Sequence, residues 1–440
     1  MKYLHKYDTK AAHDAVYNGE EYKEPWVAYV KDNKLMTYNK PHDYSKDYLT
    51  FEALESGTFT LTIPANINST SMTSVSYSTD NGDTWTTTTV DNTAQTITTP
   101  TINAGDKVLW KGVGKHMAKS HFADSFSYFS STGNFNISGN VMSLLYGDEF
   151  ANQVALPSGS TFNFVELFYN ANKLISASNM VLPATTLANS CYASMFHGCT
   201  SLTAAPELPA TTLVSNCYQY MFQDCTSLTT APELPATTLE SNCYYSMFQD
   251  CTSLTAAPEL PATTLASYCY QNMFYGCTSL VSTPELPATT LANSCYSSMF
   301  YGCTALTSAP VLPATTLANS CYYQMFRGCT SLTTAPELSA TTLATYCYYQ
   351  MFQGCTSLTS APVLPATTLV NNCYYQMFYG CSKLNYIKAM FTTTPSTSYT
   401  RDWVKGVAST GTFVKNSAAT WNMTGSNGIP SGWTVETASA

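Results

Sequence analysis

Charged side chains are scarce, with Asp, Glu, Lys and Arg making up 11% of the 440 residues. A disordered chain shows the opposite balance, many charges and few aromatics, and here 13% of the residues are aromatic. A basic excess is also missing. The net charge is −9, which argues against a nucleic-acid partner. No apolar run approaches the roughly 18 residues of a membrane span. The opening Met1 to Thr9 (MKYLHKYDT) has no apolar h-region, so no secretory signal peptide is expected in it. Cysteine is absent from both ends, all sixteen lying between Cys191 and Cys381.

Catalytic motifs are missing as well. There is no GxSxG, no GxGxxG before a helical pattern and no GxxxxGK[ST]. The six histidines are His5, His13, His42, His116, His121 and His197, and none accompanies a nucleophile motif. Asp124 near His121 reads as two polar residues of a connection. The expectation is a chain without catalytic residues and without a cofactor.

What fills the sequence instead is a repeat. The unit LPATTLANSCYASMFHGCTSLTAAPE, Leu182 to Glu207, recurs every 26 residues, its start returning at Leu208, Leu234, Leu260, Leu286, Leu312, Leu338 and Leu364. A degenerate unit precedes them, in which Leu167 to Leu174 aligns with Met195 to Leu202. Such decay suits a terminal repeat with one face toward solvent. Leu187, Cys191, Met195 and Cys199 are four apart, which predicts a short helix, with Thr185 or Thr186 as cap and Gly198 as its end. Leu202 to Leu208 reads as a very short strand interrupted by Pro206. Short helix plus short strand, repeated, predicts an α/β solenoid of the leucine-rich-repeat type, about nine units over 167–389. A lone unit cannot bury its apolar face, so the units must stack.

The pattern CYxxMFxGCTSLTxAPxLPATTL resembles the BspA-like leucine-rich repeats of bacterial surface proteins. The resemblance implies a surface protein linked to adhesion. Gly411 to Lys415 and Gly428 to Val435 are similar to the C-terminal caps that follow such arrays, giving a cap over 390–440.

Ahead of the array the composition changes. Residues 1–46 are dense in Lys, Asp and Glu, whereas 182–389 holds eleven charged residues. Trp26 to Val30 and Leu35 to Tyr38, across Lys31 to Lys34, predict a hairpin. This opening resembles N-terminal attachment segments of structural proteins from phages of gut bacteria, which implies attachment to virion or cell-surface proteins, with homo-oligomers left open. Over 47–113, alternation at Phe59, Leu61 and Ile63, at Val75 and Tyr77, and at Val108 and Trp110 predicts a small β-sandwich. Within it Ser78 to Trp85 has the SxDxGxTW form of the Asp-box hairpins of sialidase propellers. Asp80, Gly82 and Trp85 are expected to build a turn, with carbohydrate contact as the alternative. Residues 114–166 are expected to link and cap the array, Phe135 to Leu145 forming strands over its first edge.

The C-x7-C spacing lacks companion histidines, so no metal is expected; buried thiols are favoured over disulfides. The variable positions of the repeat are the functional clue. After each Cys-Tyr two positions vary, and one more after each Phe. From these come the candidate ligand contacts Tyr220, Tyr245, Tyr275, Tyr301, Tyr323, Arg327, Tyr349, Tyr375 and Tyr379. Rings and amides in columns suit a glycan or protein contact at a bacterial or mucosal surface; an ordinary solvated face is the alternative. Glu207, Glu233, Glu259, Glu285 and Glu337 form another column, interrupted by Val311 and Val363. Three functions are expected in this order: an adhesion or recognition scaffold carried on a phage virion, a secreted bacterial adhesin, and a glycan-processing enzyme built on the Asp-box sandwich.

Overall fold

The computed structural model describes residues 26–31 and 34–39, as backbone, and residues 43–65, 67, 70–120 and 125–438. The segment Met1 to Thr9, three histidines (His5, His13 and His42) and the His121–Asp124 pair lie outside the described residues. The chain divides into two compact units, Met1–Tyr44 and Ser45–Ala440. In the first, β1 (Trp26–Lys31) pairs antiparallel with β2 (Lys34–Asn39), the hairpin the sequence predicts.

The second unit begins with two facing sheets. The strands are β3 (Leu49–Ala53), β4 (Phe59–Ile63), β5 (Met72–Ser78), β6 (Thr86–Thr89), β7 (Gln95–Thr98), β8 (Lys107–Gly114), β9 (Tyr128–Ser131), β10 (Phe135–Asn140) and β11 (Leu174–Val181). One sheet runs β11-β10-β3-β8-β5-β6, the other β7-β4-β9. Alternation decides which side chains meet between them. Phe59, Leu61 and Ile63 of β4 are buried while Thr60 and Thr62 face outward. Phe51 and Trp110 of the first sheet meet Phe129 of the second at ring-centroid distances of 4.8 and 4.9 Å.

The sheets do not end at residue 113. Strand β9 comes from the stretch read as a connection, while β10 falls within the Phe135 to Leu145 run expected to form strands. From Ser143 on to Tyr146 the chain is a short helix instead. Strand β10 pairs in parallel with β11, which belongs to the start of the array. Phe168 of the first coil lies 6.0 Å from Phe51 and 5.8 Å from Phe129, so sandwich and array share one core.

The array corrects the expected helix. In the first full repeat the amides of Cys191, Ala193, Met195, His197 and Cys199 each donate to the carbonyl three residues back, at 3.0–3.3 Å. The alternate amides, of Ser190, Tyr192, Ser194, Phe196 and Gly198, donate to Ser215, Cys217, Gln219, Met221 and Gln223 of the next coil, at 2.8–3.3 Å. Ser190, Ser194 and Gly198 have φ of 55°, 54° and 74°. A left-handed residue at every fourth position makes a chain of β-turns, alternate ones having the φ > 0 third residue of type II. An isolated helix of two or three turns is marginal in water. Here half of the amides gain a partner only because another coil is adjacent. Thr185 and Thr186 therefore cap nothing; the equivalent Thr238, Thr264, Thr290, Thr316 and Thr342 instead make single parallel bridges from coil to coil. A second line of bridges runs Ser176–Ala204–Thr230–Ala256–Ser282, one residue long per coil, since Pro206 and its equivalents stop it.

Between these ladders the apolar side chains stack in columns. The buried Tyr192, Tyr218 and Tyr244 column continues to Tyr374 with ring centroids 5.7–6.0 Å apart. The Phe196 to Phe378 column is spaced at 5.5–5.7 Å. Each such side chain contributes about 1.5–3 kcal/mol by burial. That offsets the roughly 1–2 kcal/mol that a non-glycine left-handed residue costs. All sixteen cysteines are buried free thiols. In one column the thiol donates to the carbonyl of the preceding coil's Phe, as from Cys225 to Phe196 and from Cys251 to Phe222, at 3.1 and 3.0 Å.

The array is closed by a coil that lacks the repeat's consensus. Over 398–406 the carbonyls of Tyr399, Arg401, Trp403 and Lys405 accept from Tyr374, Gln376, Phe378 and Gly380. On either side of it in the chain, β12 (Tyr386–Ala389) before and β13 (Thr412–Lys415) and β14 (Thr434–Thr437) after form a parallel three-stranded sheet, and Trp403 and Trp421 pack over Phe391.

Two outcomes separate this turn ladder from a helix. Gly302 has φ of 72°, and a Cβ there would meet the Gly276 backbone at 3.8 Å, an ordinary contact without a clash. In a helix Gly302→Ala would stabilise; here it destabilises by about 1–2 kcal/mol, with Gly302→Asn costing less, as read by urea unfolding. In the native protein DTNB leaves the sixteen thiols unmodified and titrates all of them in guanidinium, because burial pushes the Cys225 and Cys251 thiols far above their ordinary range. Rapid native labelling of the repeat thiols would contradict the stacked core.

Candidate functional site

The variable positions occupy three columns of each coil. Their exposure is uneven: Ala193, Ser194, Ser246, Ser297 and Ser298 are buried, so small residues there are packing choices, and Gln350 is buried among its neighbours as well. All nine candidate contacts are half-buried. The structure sorts them into two groups. Tyr220 and Tyr245 meet edge to face at 5.2 Å near the start of the array. The remainder gather at its C-terminal half. There Tyr275 stacks on Tyr301 at 4.4 Å, and Arg327 lies over Tyr301 at 5.2 Å. Tyr323, Tyr349 and Tyr375 form a second stack, at 4.7 and 4.5 Å and nearly parallel. Between the stacks Gln324 donates to Gln350, which donates to Gln376, and Arg327 Nη1 donates to Gln350 Oε1 at 3.0 Å.

This geometry changes what the rings offer. A ring stacked on both faces cannot lie flat against a sugar or a base. What remains is edge and hydroxyl, so the surface is a ladder of phenols and carboxamides, one rung per coil. Burial, with Tyr323 and Tyr375 adjacent, pushes the Tyr349 phenol up to about 12. It stays a hydrogen-bond donor throughout the physiological range.

Two residues of this face escape the repeat reading. In the closing coil Arg401 occupies the position of Tyr375 and Lys405 that of Tyr379. Arg401 lies 5.9 Å over the Tyr375 ring and Lys405 5.7 Å over that of Tyr379. Their signal is the spacing of Thr400-Arg401-Asp402-Trp403-Val404-Lys405-Gly406, which keeps the apolar pair and the glycine of YxxMFxG with Trp-Val in place of Met-Phe.

At the other end of the face His197 Nε2 lies 3.3 Å from Asp224 Oδ2. Burial pushes the His197 imidazole down, with Asp224 opposing. Asp250 is pushed up by burial and by Asp224 beside it, and accepts from Gln249 at 3.2 Å. The Glu column lies elsewhere, where Ala-Pro-Glu-Leu-Pro segments of neighbouring coils leave proline-lined grooves. One, lined by Pro206, Glu207, Pro209, Pro232, Glu233 and Pro235, has a volume of about 380 Å³.

In the Asp-box hairpin the carboxylate of Asp80 is occupied by its own turn. It accepts from the Thr84 amide at 2.9 Å, the Thr84 hydroxyl at 2.5 Å and the Ser78 hydroxyl at 2.7 Å. Asn81 and Gly82 take φ of 61° and 95°, the pair that a tight hairpin needs. The Trp85 ring is covered by Lys111, 4.0 Å away, and by the edge of Tyr48 at 5.0 Å. Lys111 and the Tyr48 hydroxyl both donate to Asp148, at 2.8 and 2.7 Å. Among the described residues no three His, Cys, Asp or Glu side chains gather as metal ligands would, and no helix is long and apolar enough to cross a membrane.

A stack of near-identical coils with a variable outer ladder defines a repeat protein of the leucine-rich class. The chain belongs to the BspA-type leucine-rich repeat family: the profile of that repeat region, in six copies, matches residues 165–307 and 268–400, more than half of the sequence. This membership points to a surface or adhesion role. No curated protein is significantly similar to the chain.

The Asp80 turn predicts a pH effect. Hydrogen bonds from Thr84 and Ser78 hold its carboxyl down at about 2. A depressed folded-state value means that the turn's contribution is complete above the ordinary aspartate range near 3.8 and fades as pH falls toward 2. The Thr84 amide resonance should titrate near pH 2 in the native protein and lose that step in Asp80→Ala. A midpoint near 3.8 would show that the turn does not hold the charge.

Proposed function

We propose that this chain is a non-enzymatic recognition scaffold, whose C-terminal ladder of Tyr, Gln and Arg contacts a glycan or protein at a bacterial or mucosal surface. The observation that carries the reading is the segregation of the large variable side chains. Tyr275, Tyr301, Tyr323, Arg327, Tyr349, Tyr375 and Tyr379 converge on one region, held rigid by stacking and by the Gln324–Gln350–Gln376 chain. Rigid aromatic and amide arrays lose little conformational entropy on binding, which is what a recognition surface requires. Asp80 is committed to its turn and His197 is held by Asp224, which supports a role without catalysis.

In this reading the Met1–Tyr44 unit is the attachment end, joined to virion or cell-surface proteins, and a phage virion decoration or fibre is the setting proposed first. The division of the chain at Tyr44, apart from the sandwich and the array, supports an attachment role. A secreted bacterial adhesin is the second reading, favoured by the family membership itself. Capsid or tail genes beside the reading frame support the virion; an export signal upstream of it supports the adhesin.

The test is a glycan, mucin and matrix-protein array probed with the full chain. The expected result is a bound ligand that Tyr349→Ala with Gln350→Ala weakens at least ~10-fold, while Glu233→Gln in the proline groove leaves it unchanged. Binding indifferent to Tyr349 and Gln350 would remove this face as the contact surface.

A further inference from the structure

We infer that the C-terminal half of the ladder is a site for a linear anionic glycan, one bearing carboxylate or sulfate groups, gripped by Arg327, Arg401 and Lys405. The inference rests on the recognition reading above and assigns its ligand class.

Charge is the first argument. In a chain of net charge −9, these three cations lie together on the ladder. Each lies over a tyrosine ring, and among the described residues none forms an ion pair with a carboxylate. Arg401 and Lys405 are exposed. The one carboxylate of their coil is Asp402, in a left-handed conformation with its amide bonded to Asn427. The anionic and imidazole groups of the same face, Asp224, Asp250 and His197, lie at the opposite end. The face is thus polarised along the stack, and its cationic end is where the aromatic and amide rungs concentrate. Cations left over tyrosine faces, without a carboxylate, keep hydrogen-bond donors for an incoming anion: Arg401 and Lys405 theirs, and Arg327 those other than the Nη1 bond to Gln350.

Geometry selects among anionic polymers. Single-stranded nucleic acid needs a run of free ring faces on which bases stack; here both faces of Tyr349 and Tyr375 and one face of Tyr323 are taken, by one another and by Arg401. An extended acidic peptide presents same-side groups about every 6.6 Å, which falls out of step with rings 4.4–4.7 Å apart. A pyranose residue is about as long as one coil is thick. A linear sugar chain along the ladder therefore meets one phenol per ring, hydroxyl to hydroxyl, with the carboxamides of Gln324 and Gln376 flanking the buried Gln350. Arg327 and the closing coil are three steps apart, about 14 Å at the spacing of parallel strands, so anionic groups recurring along the glycan can meet both.

The experiment measures binding of the full-length protein to hyaluronan (carboxylate), heparin (sulfate), dextran (neutral) and polyglutamate (acidic peptide) by biolayer interferometry. Binding to hyaluronan, heparin or both is expected, with hyaluronan and heparin separating carboxylate from sulfate recognition. Arg401→Gln with Lys405→Gln should weaken it at least ~100-fold, about tenfold per charge-assisted contact, and Tyr349→Ala should weaken it too. Lys173→Gln with Lys383→Gln, which removes equal charge from elsewhere on the array, should leave it near the native value. Equal losses in the two double variants, equal binding of polyglutamate, or no binding to either anionic glycan would overturn the inference. If a neutral glycan or a protein binds through Tyr349 and ignores Arg401 and Lys405, the anionic assignment fails and the recognition face stands. If Tyr349→Ala changes no binding of any ligand, both fail.

Discussion

Every second amide of the turn run needs a neighbouring coil, and most of the molecule follows from that requirement. Within a coil, the i→i−3 bonds satisfy Cys191, Ala193, Met195 and their equivalents. The amides between them point along the stack and are satisfied by the next coil. An unpaired amide at a covered interface costs about 1–3 kcal/mol, so any element laid over a coil must present acceptors in the same register, and a lone coil would leave those amides to water and its apolar face unburied. The stack must therefore be long and must be closed at both ends. The leading coil over 162–170 meets the sandwich through Phe168, Phe51 and Phe129. The closing coil over 398–406 gives up the Cys and Met-Phe of the consensus for Trp403 and Val404, which seal the core beneath Phe391 and Trp421.

Much of this was legible. The 26-residue period, the need to stack, the buried thiols, the interrupted strand at Pro206, the hairpin at 26–39 and the alternation at Phe59, Leu61 and Ile63 can be read from residue order alone. The helix was not legible as absent. Four residues turn an α-helix by roughly 400°, so Leu187, Cys191, Met195 and Cys199 stay on one side of a helix and equally on one side of a turn ladder. The discriminating signal lay in the other residues: Asn216, Asp224, Asn242, Asp250, Asn272 and Asn372 all occupy left-handed positions, where Asn and Asp are tolerated and helices are not. Tyr220, Tyr268, Tyr346 and Gln324 sit at the same positions without that chemistry. Their conformation is imposed by the ladders on either side, which no local propensity encodes.

The candidate site was legible as columns and only partly as a surface. Position after Cys-Tyr says which side chains share a face. It does not say that Ala193 and Ser297 are buried while Tyr323 is half-exposed, because side-chain size decides how much of the coil's outer wall each covers. Nor does it show that tyrosines in successive coils occupy each other's ring faces. Arg401 and Lys405 were hidden for a different reason. The coil carrying them kept the backbone hydrogen bonds and lost the consensus, since only the outer coil's inward side chains must match a cap instead of another repeat.

That separation of backbone from side chain explains how such an array gains specificity without loss of stability. The bonds that hold one coil to the next are made by main-chain atoms and by the inward Leu, Cys, Tyr, Met and Phe columns, which barely change from Cys191 to Cys381. The outward positions join those bonds through their main chain alone, whatever side chain they carry, so Gln353 and Tyr379 are as compatible with the stack as Tyr275 or Arg327. Neighbours at such close spacing nevertheless interact strongly with one another. Tyr323, Tyr349 and Tyr375 in succession become a rigid stack, and Gln324, Gln350 and Gln376 become a chain of amides. A surface composed this way is ordered before any ligand arrives, so the entropy that flexible loops would lose on binding has already been lost in folding. The same argument places recognition where the large side chains run consecutively, toward the closing coil, and not at Tyr220 and Tyr245, where small residues separate the rungs.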